Sequence, residues 1–394
     1  MTDMRGELLA LKAGHVFDGV RVGPSGMLLV EDDMILDVDF TGSEPPAEAV
    51  TVDFGPDAWL LPGFVDTHVH LCWDGTEDAL EHVMSDSPEA LLDVARESAA
   101  RSLDVGVTTV RDLGDRDYLT LALRHSPAVG LRPEIVVSGP PITTVGGHSH
   151  FLGGEAEGAE ALIAAVRERA ELGCDMVEVM AGGGYVTPGS HPLVQQYHPD
   201  DLSLVISEAH RLGLRTAAHA QGADTLAEIA GLGFDSLEDV SFLTHDGYRT
   251  DRKTLDEIAS RRTYVTPPAG FFPGHESFAP EDAARRDELG EVIAGLVASG
   301  VRIVPGSDSG VSPAKAHGVY PYALMELSRH GMPNLGVLHA ATRVAAEAVG
   351  WGMTKGALRP GADADIVVLG SSPLHDIRAV TDVVAVYRMG ERVR

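Results

Sequence analysis

Between Pro62 and about Gly350 the chain alternates short apolar runs with longer amphipathic stretches. Eight runs stand out: GFVDTHVHL, GVTTVRDLG, EIVVSGP, CDMVEVMAGGG, RTAAHAQG, DSLEDVSFL, TYVTPPA and VRIVPGSDSG. Each has strand length, and most are flanked by Gly, Pro or Asp, which break regular structure. Between most of them apolar positions recur at helical spacing, as in PEALLDVARESAARSLDVG, AEALIAAVRERAELG, PDDLSLVISEAHRLGL and ADTLAEIAGLG. Strands alternating with helices eight times predict an α/β fold of the (β/α)8 TIM-barrel kind. The two ends read differently. LLALKAGHVFDG, MLLVEDDMILDVDF and AVTVDFG are strands and turns, and so is the closing GADADIVVLGSSPLHDIRAVTDVVAVYRMGERVR. The expected organisation is a small β-sandwich formed by both termini, residues 1–60 plus 355–394, and one barrel over residues 61–354.

Composition narrows the classes. Of 394 residues, 44% are apolar and 23% charged, which excludes a disordered tail, a coiled coil and a collagen-like chain. Thirty basic against 59 acidic residues give a net charge of −29. So acidic a chain is poorly suited to nucleic acid or an anionic membrane. No apolar run approaches the ~20 residues that span a bilayer. The start, MTDMRGELLALKAGHVFDGV, lacks the basic-then-apolar order of a signal peptide. One disulfide between Cys72 and Cys174 would not hold a chain of this size, and two free thiols fit a reducing cytoplasm. The expected partner is a small-molecule or peptide substrate, and the architecture is compatible with a homodimer.

Candidate chemistry gathers at strand ends. His68 and His70 lie two apart in GFVDTHVHL, so they share one face of a strand. Two imidazoles on one face suit a metal ion, although H-x-H alone reads equally as a satisfied polar pair. Glu178, His219, Asp239 and Asp308 each fall at or near the carboxyl end of a later run. Each alone has a bland reading as a capping acid, a turn acid or a hydrogen-bonded core histidine. Together they stand where barrel side chains converge on one pocket. His148 and His150 follow EIVVSGP at the same rim, and Tyr185, Thr187, Ser190 and His191 follow the glycines after Glu178. Open backbone amides in such a loop suit a carboxylate or carbonyl. Cys72 reads as a small buried residue. GGGYVTPG does not fit a phosphate loop, and GSDSG lacks the spacing of a serine-hydrolase elbow.

This constellation resembles the amidohydrolase superfamily of metal-dependent hydrolases over nearly the whole chain. LLPGFVDTHVHL is similar to its strand-1 block, DDLSLVISEAHRLGLRTAAHAQG to its strand-5 block, and PGSDSG to its strand-8 block. CDMVEVMAGGGYVTPGSHP resembles a block of the imidazolonepropionase-like and Xaa-Pro dipeptidase-like branch. The resemblance implies metal ligands at His68, His70, Glu178, His219, Asp239 and Asp308. It makes Asp308 the proton shuttle and places His148 against the substrate or its developing oxyanion. His150, Tyr185, Thr187 and His191 are the expected substrate contacts.

Two positions depart from the branch. Glu178 stands where that branch has a carboxylated lysine, and Asp239 where it has a histidine. With Glu178, Asp239 and Asp308 ionised, two divalent ions leave one positive charge and one ion leaves one negative charge. A more anionic shell acidifies water less. The expectation is one tightly held Zn2+ on His68, His70, Glu178 and Asp308, with a weaker second position at His219 and Asp239; other divalent metals fit the same ligand types. The implied reaction is hydrolysis of an amide-type C–N bond in a peptide-like substrate. One form of it is removal of a C-terminal follower segment in peptide natural-product (bottromycin-type) maturation. The alternatives are a dipeptidase or cyclic-amide hydrolase of small-molecule catabolism, and a catalytically inactive ligand-binding barrel.

Overall fold

The computed structural model describes residues 8–127, 132–275 and 286–394; the first seven residues of the expected terminal unit lie outside them. Each of the eight apolar runs contains a strand: β1 (Phe64–Val69), β2 (Val107–Asp112), β3 (Glu134–Val137), β4 (Met176–Met180), β5 (Arg215–His219), β6 (Ser236–Glu238), β7 (Tyr264–Val265) and β8 (Arg302–Ile303). All pair in parallel, as a three-stranded run β1-β2-β3 and a five-stranded run β4-β5-β6-β7-β8. Parallel bridges Ile142–Val179 and Val69–Ser309 join the two runs and close the barrel. The sequence expectation of a (β/α)8 barrel holds.

Alternation within the strands sorts the core. Val65, Val136, Met176, Ala217, Tyr264 and Val304 come from different strands or their ends and form one buried cluster. Such contacts are possible only inside the barrel. Val177, Val179, Ala218 and Leu237 point the other way and pack with helix residues such as Leu162, Val166, Leu202 and Val205. The helices start where their sequences say. Ser87 accepts the Ala90 amide and Pro88 opens the helix Pro88–Asp104; Gly173 in a left-handed conformation ends Ala159–Leu172.

The strands of both chain ends share one eight-stranded sheet. Trp59–Pro62 pairs antiparallel with Ile366–Leu369, which joins the N-terminal strands to the C-terminal ones. Leu11, Leu28, Ile35, Leu60, Ile366 and Tyr387 form its separate core. Full burial of such side chains contributes roughly 1.5–3 kcal/mol each. Arg388 ties this sheet to the barrel, donating to Asp365 at 3.0 Å and to Glu134 at the start of β3 at 2.8 Å. Among the described residues no helix is long and apolar enough to cross a membrane.

Candidate metal centre

The site forms where β8 runs out across β1. β1 carries a bulge: Asp66 pairs with Val110 but Val69 with Asp112, an extra residue relative to β2. The bulge re-aims the strand so that Val65 and His68 both face inward. Beyond β8, the Asp308 amide donates to His68 O at 2.8 Å and the His70 amide to Ser309 O at 2.9 Å. Gly306 permits this approach, because a Cβ there would lie 2.6 Å from the His68 Cβ. Below, buried Asp66 accepts from the Ser307 amide at 2.9 Å and its hydroxyl at 2.5 Å, while burial raises its carboxyl to about 6. The result places Asp308 Oδ1 3.3 Å from His70 Nε2 and 3.6 Å from His68 Nε2. His68, His70 and Asp308 each offer one atom of a set lying within 4.8 Å of one another.

The other acids reach the pocket by two routes. Glu178 is inward-facing in β4, beside Ala217 of β5, and its Oε2 is buried without a hydrogen-bond partner. Asp239 follows β6 at φ 57° and Asp308 lies at φ 53°. Left-handed backbone costs a non-glycine residue on the order of 1 kcal/mol, and such strain clusters at functional sites. At position 239 the effect is direct. Neighbours in an extended strand point to opposite faces, yet Glu238 and Asp239 both turn inward. His219, the last residue of β5, places Nδ1 3.0 Å from Asp239 Oδ2 and donates from Nε2 to Gly183 O at 3.2 Å.

Charge follows from these neighbours. Burial pushes Glu178 up to about 7, with His68, His70 and His219 pulling the other way. Burial would lower His68, but Asp239, Glu238 and Asp308 outweigh it and raise the ring to about 10. Burial likewise works against His70 and His219, and Asp308 and Asp239 respectively raise them. His68 and His219 overcome burial to hold Asp239 well below the usual carboxylate range. His148 is the exception: burial, then the nearby His219, pushes it well below the ordinary value, so it is neutral. A pocket of imidazoles and carboxylates that takes up protons, with a buried carboxylate oxygen unpartnered, is the donor set a zinc-type divalent ion fits.

The pocket brings together His68, His70, Glu178, His219, Asp239 and Asp308 with His148 and Tyr185. His150, Thr187 and His191 are not in its lining. Thr187 is buried and its hydroxyl accepts the Ser149 amide at 2.8 Å, so it ties the His148 loop to the glycine loop. His150 donates from Nδ1 to Gly147 O at 2.9 Å. His191 is exposed, and its Nδ1 accepts the Leu193 amide at 3.2 Å. Position beside glycines told which loop they occupy but not which way they face. Sequence reasoning did not name Tyr248, Phe271, Arg286 or Glu326, which also line the pocket from segments that follow β6, β7 and β8. It also missed Arg111 and Glu238, both fully buried. An arginine inside the run VTTVRD is itself a signal, because a charge in a buried strand needs a partner.

His148 sits against the glycine loop, its ring 4.9 Å from that of His219. A Cβ on Gly184 would come 2.4 Å from His148 Nε2. Gly184→Ala is therefore expected to displace the ring and lower kcat by about 100-fold, with little change in thermal unfolding. Steady-state kinetics and calorimetry on the variant check this; wild-type turnover would remove His148 from the reacting centre.

A closed parallel barrel with imidazoles and carboxylates gathered at the carboxyl ends of its strands puts a candidate metal site where barrel enzymes carry their active sites. Residues 59–393 match the amidohydrolase family, and the chain belongs to it. It is 27% identical over 364 residues to the ochratoxinase of Aspergillus niger, across 83% of this chain and 73% of that enzyme. It is 25% identical over 372 residues to the imidazolonepropionase of Chromobacterium violaceum, across 82% of this chain and 81% of that one. A Xaa-Pro dipeptidase crystallised with methionine in its active site shares the fold at a TM-score of 0.86 and 24% identity, covering 98% of this chain and 99% of that one. The chain is a hydrolase of carbon–nitrogen bonds.

Proposed function

We propose that this chain hydrolyses the amide bond of a peptide-like substrate carrying a bulky apolar group, with Zn2+ as cofactor. The observation that carries the reading is the meeting of His68, His70 and Asp308 in a pocket walled by Trp73, Leu113, Met180, Phe271 and Ile293. His68, His70, Glu178 and Asp308 would hold the ion, with His219 and Asp239 a weaker second position. A divalent ion held there would supply Lewis acidity and lower the pKa of water. Asp308 accepts the proton of the attacking water and passes it to the leaving amine. His148 is neutral and lines the pocket, so a ring N–H there can donate to the tetrahedral oxyanion. Arg286 in the lining suits a substrate carboxylate. The dipeptidase fold and the ochratoxinase similarity support the peptide-like side of the reading. In its widest form it covers removal of a C-terminal follower segment from a modified peptide in natural-product biosynthesis. The test is a panel with the zinc-loaded protein: N-acyl aromatic amino acids, Xaa-Pro dipeptides, an imidazolone and a long modified peptide. The highest kcat/KM is expected on amides with a large apolar side chain. Turnover of the imidazolone alone would overturn the proposal.

A further inference from the structure

We infer that Glu238 is a positioning residue that decides which nitrogen of His68 carries the proton; this rests on the reading of His68 as an ion ligand. Glu238 is fully buried on the inward face of β6. Its Oε1 accepts from Arg111 Nη2 at 2.5 Å and from the Ser236 hydroxyl at 2.6 Å. Arg111 is itself fixed, donating from Nε to Thr67 O at 2.5 Å and from Nη1 to the Ser236 hydroxyl at 2.9 Å. The other oxygen, Oε2, has no hydrogen bond and lies 3.3 Å from His68 Nδ1, which is likewise unpartnered.

An ionised carboxylate only accepts. Two carboxylates face the ring, and Glu238 is the nearer, 3.3 Å from Nδ1 against 3.6 Å from Nε2 to Asp308 Oδ1, so the last proton of the ring sits on the Nδ1 edge and Nε2 keeps its lone pair for an ion. His70 shows the same arrangement with a different outer partner: its Nδ1 donates to Gly114 O at 3.2 Å, and its Nε2 faces Asp308. A carbonyl holds one ring and a carboxylate the other, so both present Nε2 to the same place. Outer acceptors of this kind fix the orientation of a ligand ring and strengthen it as a donor. Arg111 keeps the buried carboxylate charged, since an unpaired charge at that depth is strongly disfavoured. It engages only Oε1 and leaves Oε2 to His68.

Glu238→Gln keeps the shape and inverts this logic. Arg111 and Ser236 still donate toward the Oε1 position, so the amide oxygen stays there and the NH2 faces His68. An amide NH2 only donates, so Nδ1 must accept and the proton moves to Nε2. Nitrogen NMR of the metal-free protein, above the pH of about 10 to which its acidic neighbours raise His68, is expected to show the neutral ring protonated at Nδ1 in the wild type and at Nε2 in the variant. Zinc affinity by chelator competition is expected to fall about 10–100-fold. A purely structural Glu238 would shift the unfolding temperature and leave the tautomer in place. Wild-type tautomer and wild-type affinity in the variant overturn the inference. If the Gln variant does not fold, Glu238→Asp is measured instead. Its withdrawn charge is expected to lower zinc affinity and speed solvent exchange of the Nδ1 proton, and wild-type values of both overturn the inference. A wild-type protein that takes up no zinc sinks the metal reading instead, and the NMR of its metal-free form still tests Glu238.

Discussion

Asp308→Asn is expected to lower kcat by about 10³-fold while the purified protein keeps its zinc. The backbone explains why the variant is a clean test. Position 308 lies at φ 53°, and asparagine tolerates left-handed backbone about as well as aspartate. The amide that bonds His68 O at 2.8 Å is untouched, so the seam between β8 and β1 stays closed. What disappears is the carboxylate proposed to accept and return a proton. His68, His70 and Glu178 would remain to hold the ion. Turnover and metal content measured on the same preparation separate the two roles. Wild-type turnover would take Asp308 out of the chemistry, and loss of zinc together with rate would make it chiefly a ligand.

Removal of the ion is expected to be as damaging. Lewis-acid stabilisation is worth several kcal/mol, so dialysis against a chelator should lower activity by roughly 10³-fold, and zinc should restore it. Acidity should weaken the site. Without an ion Glu178 holds its proton up to about pH 7, and His68 and His70 are raised as well. Every proton on a ligand competes with the ion, so zinc affinity should climb from pH 6 to pH 8. The linkage has a definite sign. Glu178 is raised from 4.5 to about 7 on folding, so its protonation stabilises the metal-free protein fully below pH 4.5, and that contribution is lost as pH rises through 7. Calorimetry with and without zinc across this range checks both statements. A zinc affinity independent of pH would exclude Glu178 and the histidines from the ligand set.

The barrel was legible because each strand announces itself locally, as a short apolar run between breakers. GFVDTHVHL and PGSDSG were legible for the same reason, since His68, His70 and Asp308, which meet in one candidate metal group, sit at the end of the run. Glu238 was not. Its meaning depends on Arg111, 127 positions earlier, and on His68 across the barrel, and no local pattern encodes that register. Asp239 was visible as an acid at a strand end, but its left-handed turn, which lets it share the pocket with its neighbour, was not. The reverse holds for Thr187 and His191: their loop was placed correctly and its interior was not, because several glycines leave the direction of each side chain open.

The barrel is assembled from two arcs, and the pocket divides unequally between them. The arc of β1, β2 and β3 delivers His68 and His70 and none of the acids in the lining. The longer arc, with the segments that follow its strands, delivers Glu178, Asp239, Asp308 and Glu326. Within the lining each arc is lopsided, the shorter one offering imidazoles without an acid and the longer one all four acids. Their mutual need makes the junction at Val69 and Ser309 an electrostatic join as much as a hydrogen-bonded one, and a split version of the chain would regain its chemistry only by reuniting both pieces.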